Sequence, residues 1–391
     1  MQQHHVQQAF NQLLKYCETE GFKGWDPYDG LNSRLFRVSQ LHRIRFFRLA
    51  WIQLFKRNPI NLRSLTLVPK EFNPKGLGLF LSGYCNLYTI DQNPHYLEKI
   101  HFLANTLINL RTKGYSGSCW GYNFDWQSRA FFLPKGTPTV VATSFIATAL
   151  LDAYEITQEP RYLKHALSSA DFILHDLNRT PKKRGFIFSY SPYDQTAVYN
   201  ASLLGSKLLA RIFYYTQDPK LKKIAKASIQ ACVDQQRHDG AWIYGELKIQ
   251  DWVDSFHTGY NLEAIATYEQ YTQDKTFHSA IKQGLEYYLN NFFLEDGCPK
   301  YYDNQTYPID IHAPAQFMVT LSRLKQTQTH QALLDRVVEW TLENMQDPKG
   351  YFYYQLKPLQ SSKIPYMRWA QAWMFYGLSF YLKDCLNQKI K

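Results

Sequence analysis

The sequence lacks several features that would assign it quickly to a class of protein. Among its 391 residues, no apolar run approaches the roughly 18 residues of a membrane-spanning helix. The first residues, Met1 to Val6, do not form a basic region followed by an apolar one, so we expect no secretory leader. The six cysteines are scattered, without the close pairs that bind zinc. We therefore predict free thiols in a cytoplasmic protein, with no metal and no other cofactor.

Acidic residues are absent from one segment, between Asn32 and Lys70. Nine Lys and Arg residues lie there, against a net charge of +11 for the whole chain. A nucleic-acid-binding protein would more often spread its charge along a groove, so we predict no nucleic-acid partner. A local basic patch suits an anionic polymer or lipid head groups instead. Peripheral membrane contact through residues 34–63 is one interpretation, and a solvent-facing helix whose arginine stems cover its apolar stripe is the other.

Aromatic residues are abundant, with 29 Tyr alone, and they recur in loops that contain glycine. These loops are 119–126, 185–190, 240–245, 297–302 and 350–354. Each is followed by an apolar segment with helical spacing. A short connector that contains Gln or Asp also recurs, at 91–97, 158–163, 217–221 and 273–277, with a fainter copy at 328–331. Intervals of roughly 54 to 66 residues between connectors predict a repeat protein.

The connectors have the composition of helix starts. Asn93 and Asp218 can accept hydrogen bonds from the free N–H groups of a first turn. Pro94, Pro160 and Pro219 suit the first helical position, because that position needs no donor. Each repeat is therefore predicted to be a helical hairpin.

We predict an all-α fold, an (α/α)6 toroid of six helical hairpins with a short N-terminal extension. The inner helices are expected to begin near Lys75, Val140, Val198, Phe256, His312 and Arg368. The outer helices are expected to begin near Pro94, Pro160, Pro219, Lys275 and His330. The segment Ser39–Phe55, with apolar residues on one face, is assigned as the sixth outer helix. A helix at about Val6–Cys17 is left over, so residues 1–34 form the extension and residues 35–391 a single toroidal domain.

The repeat length, the hairpin connectors and the Gly–aromatic loops resemble those of the six-hairpin glycosidase and polysaccharide-lyase toroids. The resemblance covers about residues 35–390 and concerns the architecture, since no single family's full catalytic signature is present. It implies a carbohydrate-active enzyme.

A second resemblance concerns segments 236–242 and 346–352. The first matches the Q-x3-G-x-W motif of squalene-type cyclases, and the second is a near copy. The D-x-D-D motif of those cyclases is absent, as is a clear ligand set for the zinc of the protein prenyltransferases, which share the toroid. An isoprenoid-binding or cyclising toroid is therefore an alternative. The other interpretation of the motif is a turn at the end of an outer helix.

In such a toroid the inner helices point their N-termini to one mouth, where free N–H groups favour anions. The loop that precedes the second inner helix combines aromatic residues with an acid. Trp120, Tyr122 and Trp126 can stack on sugar rings, and Asp125 can reach a glycosidic oxygen as a general acid. The alternative is a surface hairpin with packed aromatic side chains.

The loop before the fourth inner helix contains two acids, a tryptophan, a histidine and a tyrosine. Asp251 or Asp254 is the candidate partner carboxylate, and Trp252 is a candidate sugar-binding residue. His257 can act as acid or base near neutral pH, and Tyr260 is a further catalytic candidate. A helix cap explains Asp254 alone, but it does not explain the whole group.

The remaining candidates bind substrate at the other mouth positions: Asn200, His312, Tyr353, Arg368 and Trp369. Arg368 suits bidentate contact with a carboxylate, and its alternative is a salt bridge within the toroid wall. For His312 the alternative is a buried histidine beside a helix cap. The acid-rich and aromatic segment 25–32 is either a plain turn or a cover over the mouth.

The first interpretation of function is glycoside hydrolysis of an acidic, uronic-acid-containing oligo- or polysaccharide, which could be lipid-linked. Asp125 would be the acid and Asp254 or Asp251 its partner, and their separation would predict retention or inversion. The second interpretation is a polysaccharide lyase or uronyl C5-epimerase, with Tyr260 or His257 as the base. Arg368, His312 or Asn200 would then neutralise the substrate carboxylate. A non-catalytic glycan-binding protein is the remaining alternative.

Overall fold

The computed structural model describes residues 2–128 and 131–387, and these residues are mainly helical. The α-helices are α1 (Gln2–Thr19), α2 (Arg34–Val38), α3 (Arg45–Arg57), α4 (Pro74–Asp91), α5 (Pro94–Asn109), α6 (Val140–Thr157), α7 (Pro160–Asp171), α8 (Tyr199–Thr216), α9 (Pro219–Val233), α10 (Ser255–Thr272), α11 (His278–Asn291), α12 (His312–Arg323), α13 (Gln331–Met345) and α14 (Trp373–Asn387). A π-helical turn, Met367–Ala372, leads into α14, and another, Phe172–Asp176, follows α7. Short 3-10 turns lie at Asp29–Asn32, Leu41–Arg43 and Lys248–Gln250.

Short strands occur only in the loops of the described residues. They are β1 (Trp126–Gln127), β2 (Phe132–Leu133), β3 (Arg179–Pro181), β4 (Phe186–Phe188), β5 (Ile309–Asp310) and β6 (Gln355–Leu356). They pair antiparallel as β1–β2, β3–β4 and β5–β6. The β5–β6 pair joins the loops that precede α12 and α14, so it ties two neighbouring mouth segments together.

Six helices form an inner ring: α4, α6, α8, α10, α12 and α14. Each packs against the next, and α14 packs against α4, so the ring closes. The predicted all-α toroid and the predicted starts of its inner helices are confirmed. Helix α6 is long and apolar enough to cross a membrane by length and composition, but 72% of it is buried, as expected for an inner helix of the ring.

The sixth outer position is occupied by α1. This helix packs against α13 and α14 on one side. On its other side, Glu18 accepts a hydrogen bond from Tyr84 of α4 at 2.7 Å and lies 2.7 Å from His95 of α5. The helix that the sequence left over therefore closes the outer ring, and the assignment of Ser39–Phe55 to this position is wrong.

Helix α3, which overlaps the segment Ser39–Phe55, lies instead on the loops at the mouth. It packs against the Asp29–Asn32 turn and β1. Ile52 and Phe55 are buried there, and the Trp51 indole donates to the carbonyl of Gly30 at 3.0 Å. Periodicity correctly indicated an amphipathic helix, but it carries no information about which surface covers the apolar face.

The hairpin connectors adopt the predicted helix-start geometry. Asn93 accepts a hydrogen bond from the N–H of His95, and Asp218 does the same for Lys220, with proline at the first helical position in both cases. The residue before each cap, such as Gln217, ends the inner helix in the left-handed region, at φ 56°. The repeated Gln of the connectors is thus the C-cap of an inner helix.

The glycines of the recurring loops touch the backbone of the next outer helix. A Cβ at Gly240 would lie 2.3 Å from the carbonyl oxygen of Gln283 in α11. A Cβ at Gly350 would lie 2.5 Å from that of Gln12 in α1. Both glycines also have positive φ, at 97° and 94°. Only glycine satisfies both conditions, and the repeated contact independently places α1 in the outer ring.

The Q-x3-G-x-W segments connect neighbouring repeats by hydrogen bonds. The Gln236 side chain donates to the carbonyl of Ala280 in α11 at 3.0 Å, and Gln346 donates to that of Ala9 in α1 at 2.9 Å. The Trp242 indole donates to a carbonyl at the end of α9. The motif therefore has a structural role at the turn after an outer helix. The isoprenoid alternative loses the observation on which it depended.

All six cysteines lie within the described residues and are free, and only Cys385 is not fully buried.

Candidate active site

The N-terminal turns of the inner helices meet around a cavity of about 460 Å³ at one end of the ring. Each inner helix, or the turn that leads into it, contributes a side chain to the cavity wall: Lys75, Val141, Asn200, His257, His312 and Arg368. Loops between the hairpins and one side of α3 form the rest of the wall. The size falls within the usual range of small-molecule sites.

Nine of the fourteen predicted site residues line this cavity. They are Tyr122, Trp126, Asn200, Trp252, His257, Tyr260, His312, Arg368 and Trp369. The structure thus brings together residues from five inner-helix positions, as the toroid predicts.

None of the three predicted carboxylates lines the cavity, and two of them lie away from it. Asp125 accepts a hydrogen bond from the backbone N–H of Lys135 at 2.7 Å and pairs with Arg37 at 3.3 Å. Asp251 is exposed and is not part of the wall. Among the described residues, no Asp or Glu side chain lines the cavity. The pair of facing carboxylates expected for hydrolysis is therefore not found there.

Two predicted sugar-binding residues have other partners. Trp120 is completely buried, and its indole donates to the carbonyl of Leu107 at 2.7 Å, which anchors the loop to the end of α5. The Tyr353 hydroxyl donates to Asp347 at 3.1 Å, outside the cavity wall. Side-chain type alone could not separate these structural aromatic residues from those that face the cavity.

Asp254 lies behind His257 rather than in the cavity. Its carboxylate is 2.7 Å from Nδ1 of His257, and it accepts hydrogen bonds from the His257 backbone and the Trp252 indole, both at 2.9 Å. Asp254 is 2% exposed, and the His257 side chain is one-fifth exposed. The carboxylate therefore favours the tautomer with the proton on Nδ1 and leaves Nε2 as an acceptor for a ligand. The predicted helix cap is present, and the same carboxylate also orients the histidine.

Tyr260 and His312 form a second pair beneath the cavity. The Tyr260 hydroxyl lies 2.7 Å from Nε2 of His312. Burial raises the pKa of Tyr260 well above its usual value. Burial, with the nearby charges of Lys75 and His257, lowers the pKa of His312 well below its usual value. Both groups are therefore neutral, and Tyr260 donates to His312. The Nδ1 atom of His312 is buried and has no partner among the described residues.

Asp310 holds the wall around His312 in place. It accepts hydrogen bonds from the His312 backbone at 3.0 Å, from Gln355 at 2.5 Å and from the Trp369 indole at 2.9 Å. Burial raises the pKa of Asp310 to about 6 despite these hydrogen bonds. It is therefore a positioning residue for three members of the wall.

Lys75 is the main cavity residue that the sequence analysis missed. It is 4% exposed, and its ammonium lies 4.3 Å from the ring centre of Phe145 and 5.4 Å from that of Tyr260. Among the described residues it has no ion pair and no hydrogen bond to a carboxylate. Burial and the neighbouring Arg368 lower the pKa of Lys75 well below its usual value. The sequence feature that could have identified Lys75 is its position, as a lysine in the first turn of an otherwise apolar inner helix.

Arg368 makes the predicted bidentate contact, but with a carboxylate of this chain. Its Nε and Nη2 atoms donate to Asp26 at 2.5 and 2.8 Å, and both side chains are 4% exposed. The segment 25–32 therefore covers part of the mouth, and Tyr28 lines the cavity. Asn200 is 3% exposed, and its Nδ2 donor has no partner among the described residues. Asn200 can thus donate a hydrogen bond to a bound ligand.

Stacked aromatic rings form two sides of the cavity. Trp252 stacks on Tyr244 with ring centres 4.6 Å apart, and Tyr122 stacks on Phe124 at 5.3 Å. Such flat apolar faces suit the C–H face of a sugar ring. Three further cations lie at the cavity wall: Lys56, Arg57 and Lys357. The wall thus combines stacking surfaces with a strong excess of positive charge.

Comparisons of the whole fold place the chain among known structures. It is similar to an unsaturated glucuronyl hydrolase specific for heparin (TM-score 0.65, 13% identity, 98% of this chain and 97% of the other). It is also similar to a cellobiose 2-epimerase from Bacillus thermoamylovorans (0.63, 15%, 82% and 90%) and to a GH76 α-mannanase from Bacteroides thetaiotaomicron (0.60, 13%, 81% and 86%). No protein-family model matches the sequence, and no curated protein matches it.

The chain has the (α/α)6 toroid fold of the six-hairpin glycosidase-like enzymes. The resemblance noted from the repeats is confirmed at the level of fold. Within residues 2–128 and 131–387, no group of three or more His, Cys, Asp or Glu side chains is placed to hold a metal ion.

Proposed function

We propose that the protein is a carbohydrate-active enzyme that moves a proton at a carbon beside the carboxylate of a uronic acid. The reaction would be β-elimination or epimerisation within an acidic oligo- or polysaccharide. One observation carries the proposal: the cavity wall presents His257, Tyr260, His312 and Lys75, and no carboxylate among the described residues. This set is suited to proton transfer next to an anionic group rather than to hydrolysis by two carboxylates.

The positive wall supports an anionic substrate. Burial and Arg368 disfavour the charged form of Lys75, which has no ion pair among the described residues, and a substrate carboxylate would supply the missing partner. Asn200 offers an unused donor from the N-terminal turn of α8, where the helix dipole also favours an anion. These two residues are the proposed carboxylate-binding pair. Arg368 contributes its charge, although Asp26 already occupies two of its donors.

His257 is the proposed base. Its Nε2 would accept the proton from the carbon beside the carboxylate, and the electron pair would move onto the carboxylate oxygens. Cations in a buried wall stabilise that added charge more strongly than water does. Asp254 would stabilise the resulting imidazolium through its 2.7 Å contact with Nδ1.

Tyr260 is the proposed acid. In elimination, the electron pair returns to form a carbon–carbon double bond and the bond to the leaving oxygen breaks. The Tyr260 hydroxyl gives up its hydrogen bond to His312 and protonates that oxygen. In epimerisation, the hydroxyl returns a proton to the same carbon from the other face. The Tyr260 hydroxyl loses one proton in either case, and the neighbouring lysine stabilises the phenolate.

The fold neighbours support a carbohydrate substrate for this cavity. Their names describe a glucuronyl hydrolase, a 2-epimerase and a mannanase. The first name refers to a glucuronyl substrate and the second to epimerisation of a sugar. The lyase or epimerase activity, the acidic substrate and a cytoplasmic location are our proposals for this chain.

The test is incubation with a panel of uronic-acid polysaccharides and oligosaccharides in heavy water. Elimination produces an unsaturated uronide, detected by its ultraviolet absorbance. Epimerisation incorporates deuterium beside the carboxylate, detected by NMR. His257→Ala should abolish either signal, because it removes the proposed base. Asp125→Asn is the matched control and should retain the signal, since Asp125 lies outside the cavity.

One result would contradict the proposal directly. New reducing ends without absorbance or deuterium, lost in Asp125→Asn and kept in His257→Ala, would show hydrolysis by a loop carboxylate instead. Binding of an acidic glycan that survives His257→Ala, with no turnover by the wild type, would show the non-catalytic glycan-binding protein.

A further inference from the structure

Exposed apolar side chains are concentrated in one short part of the molecule. Of the twenty large apolar side chains that are exposed among the described residues, ten lie within residues 35–67. They are Leu35, Val38, Leu41, Ile44, Phe46, Phe47, Leu54, Ile60, Leu65 and Leu67. We call this set the mouth patch. Single exposed apolar residues are normal, but such a concentration marks an interaction surface.

The patch belongs to an ordered and well-anchored substructure. Helices α2 and α3 each pack against the Leu41–Arg43 turn, and Phe36 of α2 stacks on Trp51 of α3 with ring centres 4.8 Å apart. The Ser33 hydroxyl donates to the carbonyl of Thr66 at 2.7 Å, which joins the Leu65 and Leu67 turn to the start of α2. The patch is therefore held in place rather than left on a free chain.

Helix α3 has two opposite apolar faces. Ile52 and Phe55 face inward and are buried. Phe46, which is 71% exposed, and Leu54 at 45% lie on the outward face, eight residues apart and thus on the same side of the helix. A helix that packs by one face needs no second apolar face for folding. The outward face is therefore available for a partner.

Positive charge surrounds the patch. Residues 32–70 contain nine Lys and Arg and no Asp or Glu. Arg34, Arg43 and Arg57 are exposed, whereas Arg63 is buried against Asp29 and Arg37 is paired with Asp125. Two copies of this surface would place like charges against each other. Apolar side chains within a basic surface suit an anionic lipid bilayer instead.

We propose that the mouth patch docks the protein on an anionic membrane surface. Phe46, Leu54 and their neighbours insert at the level of the head groups, and the exposed arginines contact lipid phosphates. Gln53, Lys56 and Arg57 of the same helix line the cavity. Docking therefore holds the cavity mouth beside the bilayer. If the proposed function is correct, a lipid-linked acidic glycan reaches the cavity from that surface, and this extension rests on the proposed function.

The test is sedimentation of the full chain with lipid vesicles. Vesicles of equal parts phosphatidylglycerol and phosphatidylcholine should bind the protein, and phosphatidylcholine alone should not. High salt should weaken binding, because the attraction is partly electrostatic. Phe46→Glu and Arg43→Glu should each weaken it by at least about tenfold, since each places an acid at the lipid surface.

Tyr214→Glu is the matched control. Tyr214 is 54% exposed at the C-terminal end of α8, away from the mouth, so this variant should bind vesicles as the wild type does. Thermal unfolding should be unchanged in all three variants, because each side chain is exposed. Equal binding by wild type and Phe46→Glu, or no binding to anionic vesicles, overturns the proposal. A dimer that Phe46→Glu dissociates would instead assign the patch to a second copy of the chain. None of these outcomes depends on turnover of a sugar.

Discussion

The interior of the ring buries charged residues in two regions, and the two regions treat them differently. Deeper in the ring, Lys207 pairs with Glu263 at 2.5 Å, and Arg211 pairs with Asp152 at 2.7 Å. At the mouth, Lys75 is equally buried but faces aromatic rings, with no carboxylate partner among the described residues. Buried charges are costly unless they are paired. In the first region the fold itself compensates the buried charges. We infer that the second region is adapted to a ligand that carries the missing charge.

Two side chains of the cavity wall have buried polar atoms without a hydrogen-bond partner among the described residues. His312 Nδ1 and Asn200 Nδ2 are the two atoms, and no group within residues 2–128 and 131–387 bonds to either. The side chains that do have partners there, such as Asp254 and Asp310, hold wall residues in position. Unmet hydrogen-bonding capacity at a cavity is typical of a binding site, because the ligand completes it.

The largest expected effect comes from breaking a deep pair. Arg211→Leu should destabilise the protein by about 3 kcal/mol, because it leaves the Asp152 carboxylate, whose side chain is only 15% exposed, without its ion-pair partner. Chemical denaturation followed by circular dichroism measures this change. Lys223→Leu, at an exposed position of α9, is the control and should have little effect. Equal stability of the Arg211 variant and the wild type would remove the distinction between the two regions.

The orientation of His257 can be tested through its carboxylate. Asp254→Asn keeps a helix-capping side chain but no longer favours the required tautomer or stabilises the imidazolium. We expect turnover to fall by about 10- to 100-fold with little change in substrate binding. Steady-state kinetics on the substrate identified by the polysaccharide panel separates the effect on kcat from the effect on KM. A change in KM alone would show that Asp254 only shapes the cavity.

The mouth lysine should behave in the opposite way to the deep pairs. Lys75→Met removes a buried amine whose charged form is disfavoured by burial and that has no ion pair among the described residues. The free energy of unfolding should therefore stay the same or rise by about 1 kcal/mol. Affinity for acidic oligosaccharides should fall by about tenfold or more, measured by calorimetry. A loss of stability like that of Arg211→Leu, with affinity unchanged, would assign Lys75 to the fold instead.

The smallest expected effect concerns pH. The pKa of His312 is lowered well below its usual value in the fold, so below pH 6.5, the ordinary value, the unfolded chain binds a proton that the folded chain does not. His312 therefore lowers stability progressively as the pH falls below about 6.5 and has no such effect above it. The difference in thermal midpoint between wild type and His312→Gln should shift against the wild type at acid pH. A difference that stays constant from neutral to acid pH would contradict this account.

Much of the fold could be predicted from local pattern. Caps such as Asn93 and Asp218, and the proline after each, are local features, and they located the hairpins correctly. Toroid symmetry then brought nine of fourteen candidate residues to one cavity. The errors concern the surface against which a helix packs and the direction in which a side chain points. The sequence showed that 39–55 contains an amphipathic helix, but both α1 and α3 have apolar faces, and only packing decides which one joins the ring.

The candidate site was predictable in position and less so in chemistry. Asp125 and His257 lie in equally suggestive loops, yet the first pairs with Arg37 outside the cavity and the second faces inward. Residue type and spacing cannot distinguish these directions. Lys75 was missed because a single lysine at a helix start is ordinary until its surroundings are known.

By itself, the sequence determined the number of hairpins, their boundaries and the end of the ring where chemistry-bearing residues collect, because caps, glycine turns and helical periodicity act over a few residues. The tertiary structure alone decided which helix closes the ring, which acids turn away and which charge is left unpaired. The contact between Arg368 and Asp26 joins residues 342 positions apart and converts a predicted substrate-binding arginine into part of the wall. Burial and electrostatics depend on everything that surrounds a side chain, and distant segments supply most of those surroundings.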